Sequence, residues 1–219
     1  MKMLIEPRSG SLQGLTSSRN RYGQYVRSRA TPVNPNSDAQ GVVRARLSLN
    51  AAAWRALTDE QRAGWESLAG QMSRTDALGQ SYTLNGFGAY VSVNNNQQAA
   101  GNAVLSDAPA LVTPDGLLTA TITLTAAAHT VAYTTTPLPA GARLFVYASP
   151  QRSAGRSYES DLRLVHVSAA AAASPADVES EFNARFGVPV VGNKVFYALH
   201  VYTGGFRSGP LSTSKVVSA

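Results

Sequence analysis

Three histidines, His129, His166 and His200, are the first residues to weigh for chemistry, because imidazole is the usual base and metal ligand near neutral pH. No two of them stand at a metal-ligand spacing, and each falls in or beside a segment that reads as a strand. A structural role is therefore expected for all three. The absence of cysteine removes disulfides, thiol nucleophiles and cysteine-ligated zinc together. Serine is plentiful, but no Gly-x-Ser-x-Gly elbow occurs. The acids Asp59–Glu60 and Glu179/Glu181 lie in the first turn or body of predicted helices, where carboxylates serve the helix dipole or solvent. The run G-F-G-A at 86–89 is too short to cradle a phosphate and precedes no Lys-Ser/Thr pair. These patterns predict no enzyme, no cofactor and no metal.

The residues that do suggest chemistry are cationic and aromatic. Arg19, Arg21, Arg27 and Arg29 alternate with Tyr22 and Tyr25, a mixture suited to an acidic protein groove or a nucleic-acid backbone. Residues 1–50 carry eight basic side chains (Lys2, Arg8, Arg19, Arg21, Arg27, Arg29, Arg44, Arg46) against Glu6 and Asp38, while residues 51–219 carry eleven of each sign. The whole net charge of +6 thus sits in the first segment, which predicts an electrostatic docking arm. Arginine makes up 16 of the 19 basic residues, and a guanidinium grips carboxylate or phosphate with two parallel hydrogen bonds. The basic residues beyond the arm are scattered and nothing reads as a recognition helix, so a protein partner is preferred to nucleic acid.

The elements that must position these residues follow from spacing. Residues 1–36 show neither helical nor strand period, and Gly10, Gly14, Gly23, Pro32 and Pro35 punctuate them. The expectation is an extended basic arm with at most a short strand at 22–26. Ser37 opens a helix with a capping box, S-D-A-Q, and Thr58 opens the next with T-D-E-Q. Val43, Leu47, Trp54 and Leu57 share one face of the first; Trp65, Leu68, Ala69 and Met72 share one face of the second. A small loop or hairpin follows, then a third helix from Asn85 with Phe87, Tyr90, Val91 and Asn94 on one side. Residues 37–102 thus form a helical anchor, with Arg44, Trp54 and Trp65 joining Arg19, Arg21, Tyr22, Tyr25, Arg27 and Arg29 as expected partner-binding residues.

After a polar stretch at 94–102 the period changes from about 3.6 to 2, placing a boundary near 103. Strands are predicted at 117–125, 129–136, 142–149, 161–168, 194–203 and 211–217, with a short edge piece at 188–191. Their regular recurrence predicts a β-sandwich over 103–219. Ser174 followed by Pro175 predicts a helical insertion over 174–186, closed by Gly187, with Phe182 and Phe186 inward. The fold class is then α+β multidomain. No run approaches the length of a membrane span or a secretory signal, so a soluble, unprocessed protein is expected.

Two resemblances rest on motifs rather than on periodicity. The run Y-A-L-H-V-Y-T-G-G-F-R-S-G-P-L-S at 197–212 resembles the last hairpin of a fibronectin type III domain. That likeness implies a corner role for Tyr197, its hydroxyl bonding back to the preceding loop, and puts Tyr133 in place of the usual second-strand tryptophan. The first half resembles a group of uncharacterised bacteriophage and prophage proteins. The matching residues are Arg29, Pro32, Asn34, Pro35, Gln40 and Arg44, then Trp54, Leu57, Thr58, Gln61, Arg62 and Trp65. The resemblance implies only a virion-associated protein; among virion roles a capsid decoration or cement protein is expected first, because a small arm-plus-sandwich build suits repeated surface sites, and a neck or tail accessory subunit second. Implied partners are a major capsid protein or neck/tail subunits, with further copies of the chain as another option. A nucleic-acid-binding arm and a carbohydrate-binding use of the sandwich loops are the readings from other classes.

Overall fold

The computed structural model describes residues 9–76 and 78–218. Lys2, Glu6 and Arg8 of the charged segment lie outside the described residues. The described residues form four helices and several antiparallel sheets, and the chain divides into two compact units. The first holds residues up to Val91 together with Ser106–Ala108; the second holds Ser92–Leu105 and Pro109 onward. The division falls inside the third helix, not at 103.

In the first unit, the stretch expected to be an extended arm is a β-meander of β1 (Gly10–Leu12), β2 (Leu15–Asn20) and β3 (Gly23–Ser28). Two-residue turns at Gln13–Gly14 and Arg21–Tyr22 join the strands, neither carrying the Asn-Gly type signal that betrays a hairpin in sequence. Gln13 accepts a positive φ of 53°, and Gly23, at φ 117°, closes the second turn in a conformation open to glycine. A bond from the Arg29 amide to the Gly14 carbonyl (2.7 Å) ties the exit of β3 to the first turn.

Helices α1 (Asp38–Ala56) and α2 (Asp59–Gln71) follow. The predicted box at Thr58 is present: its hydroxyl accepts from the Gln61 amide (3.2 Å) and the Thr58 amide donates to Gln61 Oε1 (3.1 Å). The box predicted at Ser37 is not. Ser37 makes no side-chain cap bond, and Gln40 Oε1 is buried without a partner. The start of α1 is tied instead by Arg44, whose guanidinium donates to Asn34 Oδ1 (3.1 Å), an oxygen that also accepts from the Asn36 amide (3.2 Å). A hairpin of β4 (Ser73–Thr75) and β5 (Ser81–Thr83) leads to α3 (Gly86–Ala99).

The second unit contains a three-stranded sheet, β6 (Thr119–Leu124), β7 (His129–Thr134) and β11 (Ala176–Asp177), in the order β11-β7-β6. Its larger sheet has β12 (Asn193–Thr203) at the centre. On one side of β12 lie β8 (Arg143–Ala148) and then β10 (Arg163–Val167); β14 (Leu211–Val216), β13 (Phe206–Arg207) and β9 (Arg152–Ser153) also pair with it. All six long strands match the predicted ones. Inward residues of both sheets share one core, with Ile122, Leu124 and Val131 meeting Leu144, Val146, Val195, Leu199 and Val201. Such near-continuous burial of alternate positions is what drives two sheets together.

Three details of this unit differ from expectation. No strand forms at 188–191. The helical insertion α4 spans Glu179–Phe186, because Ala176 and Asp177 pair with Val131 and Thr130 of β7, and Asp177 Oδ1 then accepts from the Glu179 amide (3.0 Å). Tyr197 does not reach back to its preceding loop. Its hydroxyl meets His129 Nε2 at 2.7 Å inside the core.

Candidate docking surface

The W-x-x-L-T-x-x-Q-R-x-x-W motif builds the interior of the first unit. Trp65 is fully buried, packs edge-on against Tyr90 (5.1 Å), and donates its indole N–H to the Ser106 carbonyl (2.8 Å). Trp54 packs against Tyr90 (5.3 Å) and Phe87 (5.8 Å) but stays half-exposed. Gln61 donates to Asp107 (3.0 Å), and Arg62 donates to the Arg55 carbonyl (2.9 Å) to brace the turn between the helices. Trp65 is therefore a core residue and not a partner contact, a correction to its expected role; Trp54 retains an open face.

Ahead of this core the picture inverts. From Ser9 to Leu49 no residue is buried, although most of the stretch is strand or helix. The register of the meander sorts its side chains by face, since directly opposed residues lie on the same side. Leu12 faces Leu15, and Leu15, Ser17 and Arg19 share their side with Ser28, Val26 and Gln24. The other face carries Ser11, Thr16, Ser18, Tyr25 and Arg27. One face thus carries aliphatics beside the first turn (Leu12, Leu15) and on β3 (Val26), with Arg19 toward the second turn, and the other is polar apart from Tyr25. Leu12 is 78% exposed and Leu15 56%.

At the hairpin tip the Arg21 guanidinium lies 4.9 Å from the Tyr22 ring centre and donates to the Tyr22 hydroxyl (2.8 Å). The expected binding residues therefore split. Arg21 and Tyr22 meet at the tip, Tyr25 and Arg27 share the polar face, Arg19 stands on the aliphatic face, and Arg29 follows the sheet. Arg44 is engaged with Asn34 on α1.

Helix α1 repeats the pattern. At about 100° per residue, Val42, Val43, Leu47, Leu49 and Trp54 fall within an arc of roughly 160°, with Arg46 inside it. Val42, Val43, Leu47 and Leu49 are all exposed, Val43 at 66%. Helical spacing alone puts Val43 and Leu47 on one face of this helix; Val42, Leu49 and the meander's Leu12, Leu15 and Val26 are the part of the surface that sequence reasoning missed, the meander's signal being the two-residue spacing of Leu15, Ser17 and Arg19 across a short turn from Leu12.

The titratable groups of the second unit are mostly held by contacts within that unit. Burial lowers the His129 pKa to about 4, against a smaller opposing pull from Asp177. The ring stacks edge-on with Phe182 (4.6 Å), and Nδ1 has no partner among the described residues. Burial also pushes the Tyr197 hydroxyl well above its usual range. His166 Nδ1 meets Glu181 Oε1 at 2.9 Å, and His200 Nδ1 donates to the Ser208 carbonyl at 2.8 Å. Glu159 is held low by the Asp161 amide first, and also by the Arg152 guanidinium and the Ser160 amide.

An open groove of about 550 Å³ runs beside Tyr158, Phe196, His200, Ser212 and Ser214. Tyr158 is exposed at its edge, whereas Phe206 is buried. Among the described residues no group of three His, Asp or Glu is placed to hold a metal ion, and no helix is long and apolar enough to cross a membrane.

No family model, curated protein or solved structure matches the chain.

Proposed function

We propose that the protein is a structural subunit of a bacteriophage particle, held to a larger assembly by its first segment while the β-rich unit projects from it. The capsid-decoration role comes first and a neck or tail accessory role second. The observation that carries the reading is the run of ordered strand and helix before Asn50 that buries no side chain of its own. Apolar side chains left open in this number mark an interaction surface. A fibronectin type III-like sandwich is the finer reading of the second unit. It is supported by a three-stranded and a larger antiparallel sheet sharing one core, and by Tyr133, whose buried ring donates its hydroxyl to the Ala172 carbonyl (2.9 Å).

Nucleic acid is the second reading, favoured only by the Arg21–Tyr22 tip. Seven exposed aliphatic and aromatic side chains beside the arginines (Leu12, Leu15, Tyr25, Val42, Val43, Leu47, Leu49) ask for an apolar counterpart that a phosphate backbone lacks.

The test is an add-back. Particles assembled without this subunit are mixed with the purified chain, pelleted, and the bound copies counted by quantitative mass spectrometry. Hundreds of copies place it on the shell, and roughly a dozen or fewer place it on the portal axis or tail. A chain that stays in the supernatant refutes the role.

A further inference from the structure

We infer that residues 9–49 form a fold-on-docking element whose missing core is supplied by an apolar protein surface rimmed with acidic groups. The inference rests on the docking reading and adds to it both the chemistry of the partner and the state of the free chain.

Three strands become independently stable when one face is packed, and this meander has a face to pack on which no residue is buried among the described residues. A helix of fewer than about 12–15 residues is marginal in water without tertiary support. Helix α1 runs for 19 residues, but its part Asp38–Leu49 has no buried residue, so its tertiary support begins only at Asn50. Both elements are amphipathic in the same sense, with aliphatics (Leu12, Leu15, Val26; Val42, Val43, Leu47, Leu49) on one side and an arginine among them in each, Arg19 in the meander and Arg46 in α1. Apolar area interleaved with guanidinium is the composition of one half of a protein interface.

Charge selects the occupant. Residues 9–49 carry Arg19, Arg21, Arg27, Arg29, Arg44 and Arg46 against Asp38 alone. Pairing this surface with the same surface of a second copy would set arginines against arginines, and Arg46 lies inside the apolar arc where a two-fold helix pair would meet. Acidic groups around an apolar centre satisfy both features, with carboxylates gripping the guanidinium forks.

Hydrogen exchange on the full chain, free and bound to particles assembled without it, tests this. In the free monomer the amides of Thr16–Ser18, Tyr25–Arg27 and 42–49 are expected to exchange within seconds while those of β8 and β12 stay protected. On docking, protection of the first group should rise by about 100-fold or more. Leu15→Asp combined with Val43→Asp should weaken docking by about 100-fold while leaving the exchange of β8 and β12 unchanged.

Protection of the meander in a free monomer overturns the inference and leaves docking standing. Protection that tracks dimer formation in light scattering overturns it in favour of a second copy, and protection induced by a 20-base-pair DNA duplex at low salt overturns it in favour of nucleic acid. Failure of the wild-type chain to bind particles under any salt condition removes the docking reading and this inference with it.

Discussion

Residues 9–49 and the strand pair β8–β12 are equally regular in backbone and opposite in support. Val146 and Leu199 sit directly opposed with no exposure, in a core closed by a second sheet and by Phe182 of α4. Leu12 and Leu15 are also directly opposed across a strand pair, and face open space. The difference teaches that hydrogen-bonded geometry and stability are separate properties. A ladder satisfies the backbone, but burial of side chains decides whether the element can stand alone.

The comparison can be broken by mutation. The largest effect is expected from Phe182→Ala, which opens the core beneath α4 and should cost about 3–5 kcal/mol in denaturant unfolding of the second unit. A loss below 1 kcal/mol would mean that α4 is not part of that core.

Acid gives the next effect. His129 is neutral in the fold, its pKa lowered by burial to about 4 from the ordinary imidazole value of 6.5. Because the unfolded chain takes up the proton first, the contribution is complete above pH 6.5 and is lost as pH falls toward 4, by roughly 3 kcal/mol. His200 is lowered by burial too and acts in the same direction. Urea midpoints for wild type and His129→Gln should converge across that window; a constant gap between them would refute the assignment.

Gly205→Ala comes third. Gly205 has φ 97°, and an added Cβ would lie 2.4 Å from Val93 Cγ1, so a loss of about 1–3 kcal/mol is expected in thermal or urea unfolding.

The smallest effects sharpen the contrast. Thr58→Ala removes a formed cap and should cost about 1 kcal/mol, whereas Ser37→Ala, where the same sequence device makes no cap bond, should cost about 0–0.5 kcal/mol. Leu15→Ala and Val43→Ala should likewise leave the free chain's unfolding within about 0.5 kcal/mol of wild type, their cost being reserved for docking.

The parts legible in the sequence are those whose residues answer to their own neighbours. The six long strands of the second unit alternate because alternate side chains enter a core, and T-D-E-Q forms because Thr58 and Gln61 need only each other. The meander was illegible because its polar and aliphatic positions differ little in burial, and because Gln13–Gly14 and Arg21–Tyr22 are unadvertised turns. The start of α4 was misplaced because Ala176 and Asp177 pair with a strand some 45 residues earlier, a contact no local pattern encodes. Tyr197 went to His129 for a similar reason. Its hydroxyl is 68 positions from that ring in sequence and 2.7 Å away in the fold. Of the candidate docking surface, the arginines, the tyrosines, Val43 and Leu47 could be read directly, while Leu12, Leu15 and Val26 needed the register.

Ser106 accepts the Trp65 indole proton, and Ser106–Ala108 belong to the first unit while residues on both sides of them belong to the second. The polypeptide thus leaves its opening module, returns to it for three residues, and departs again. Replacing everything after residue 103 with unrelated sequence would remove that return and leave the Trp65 donor without its acceptor, so a cut that keeps the opening module whole must fall after Ala108.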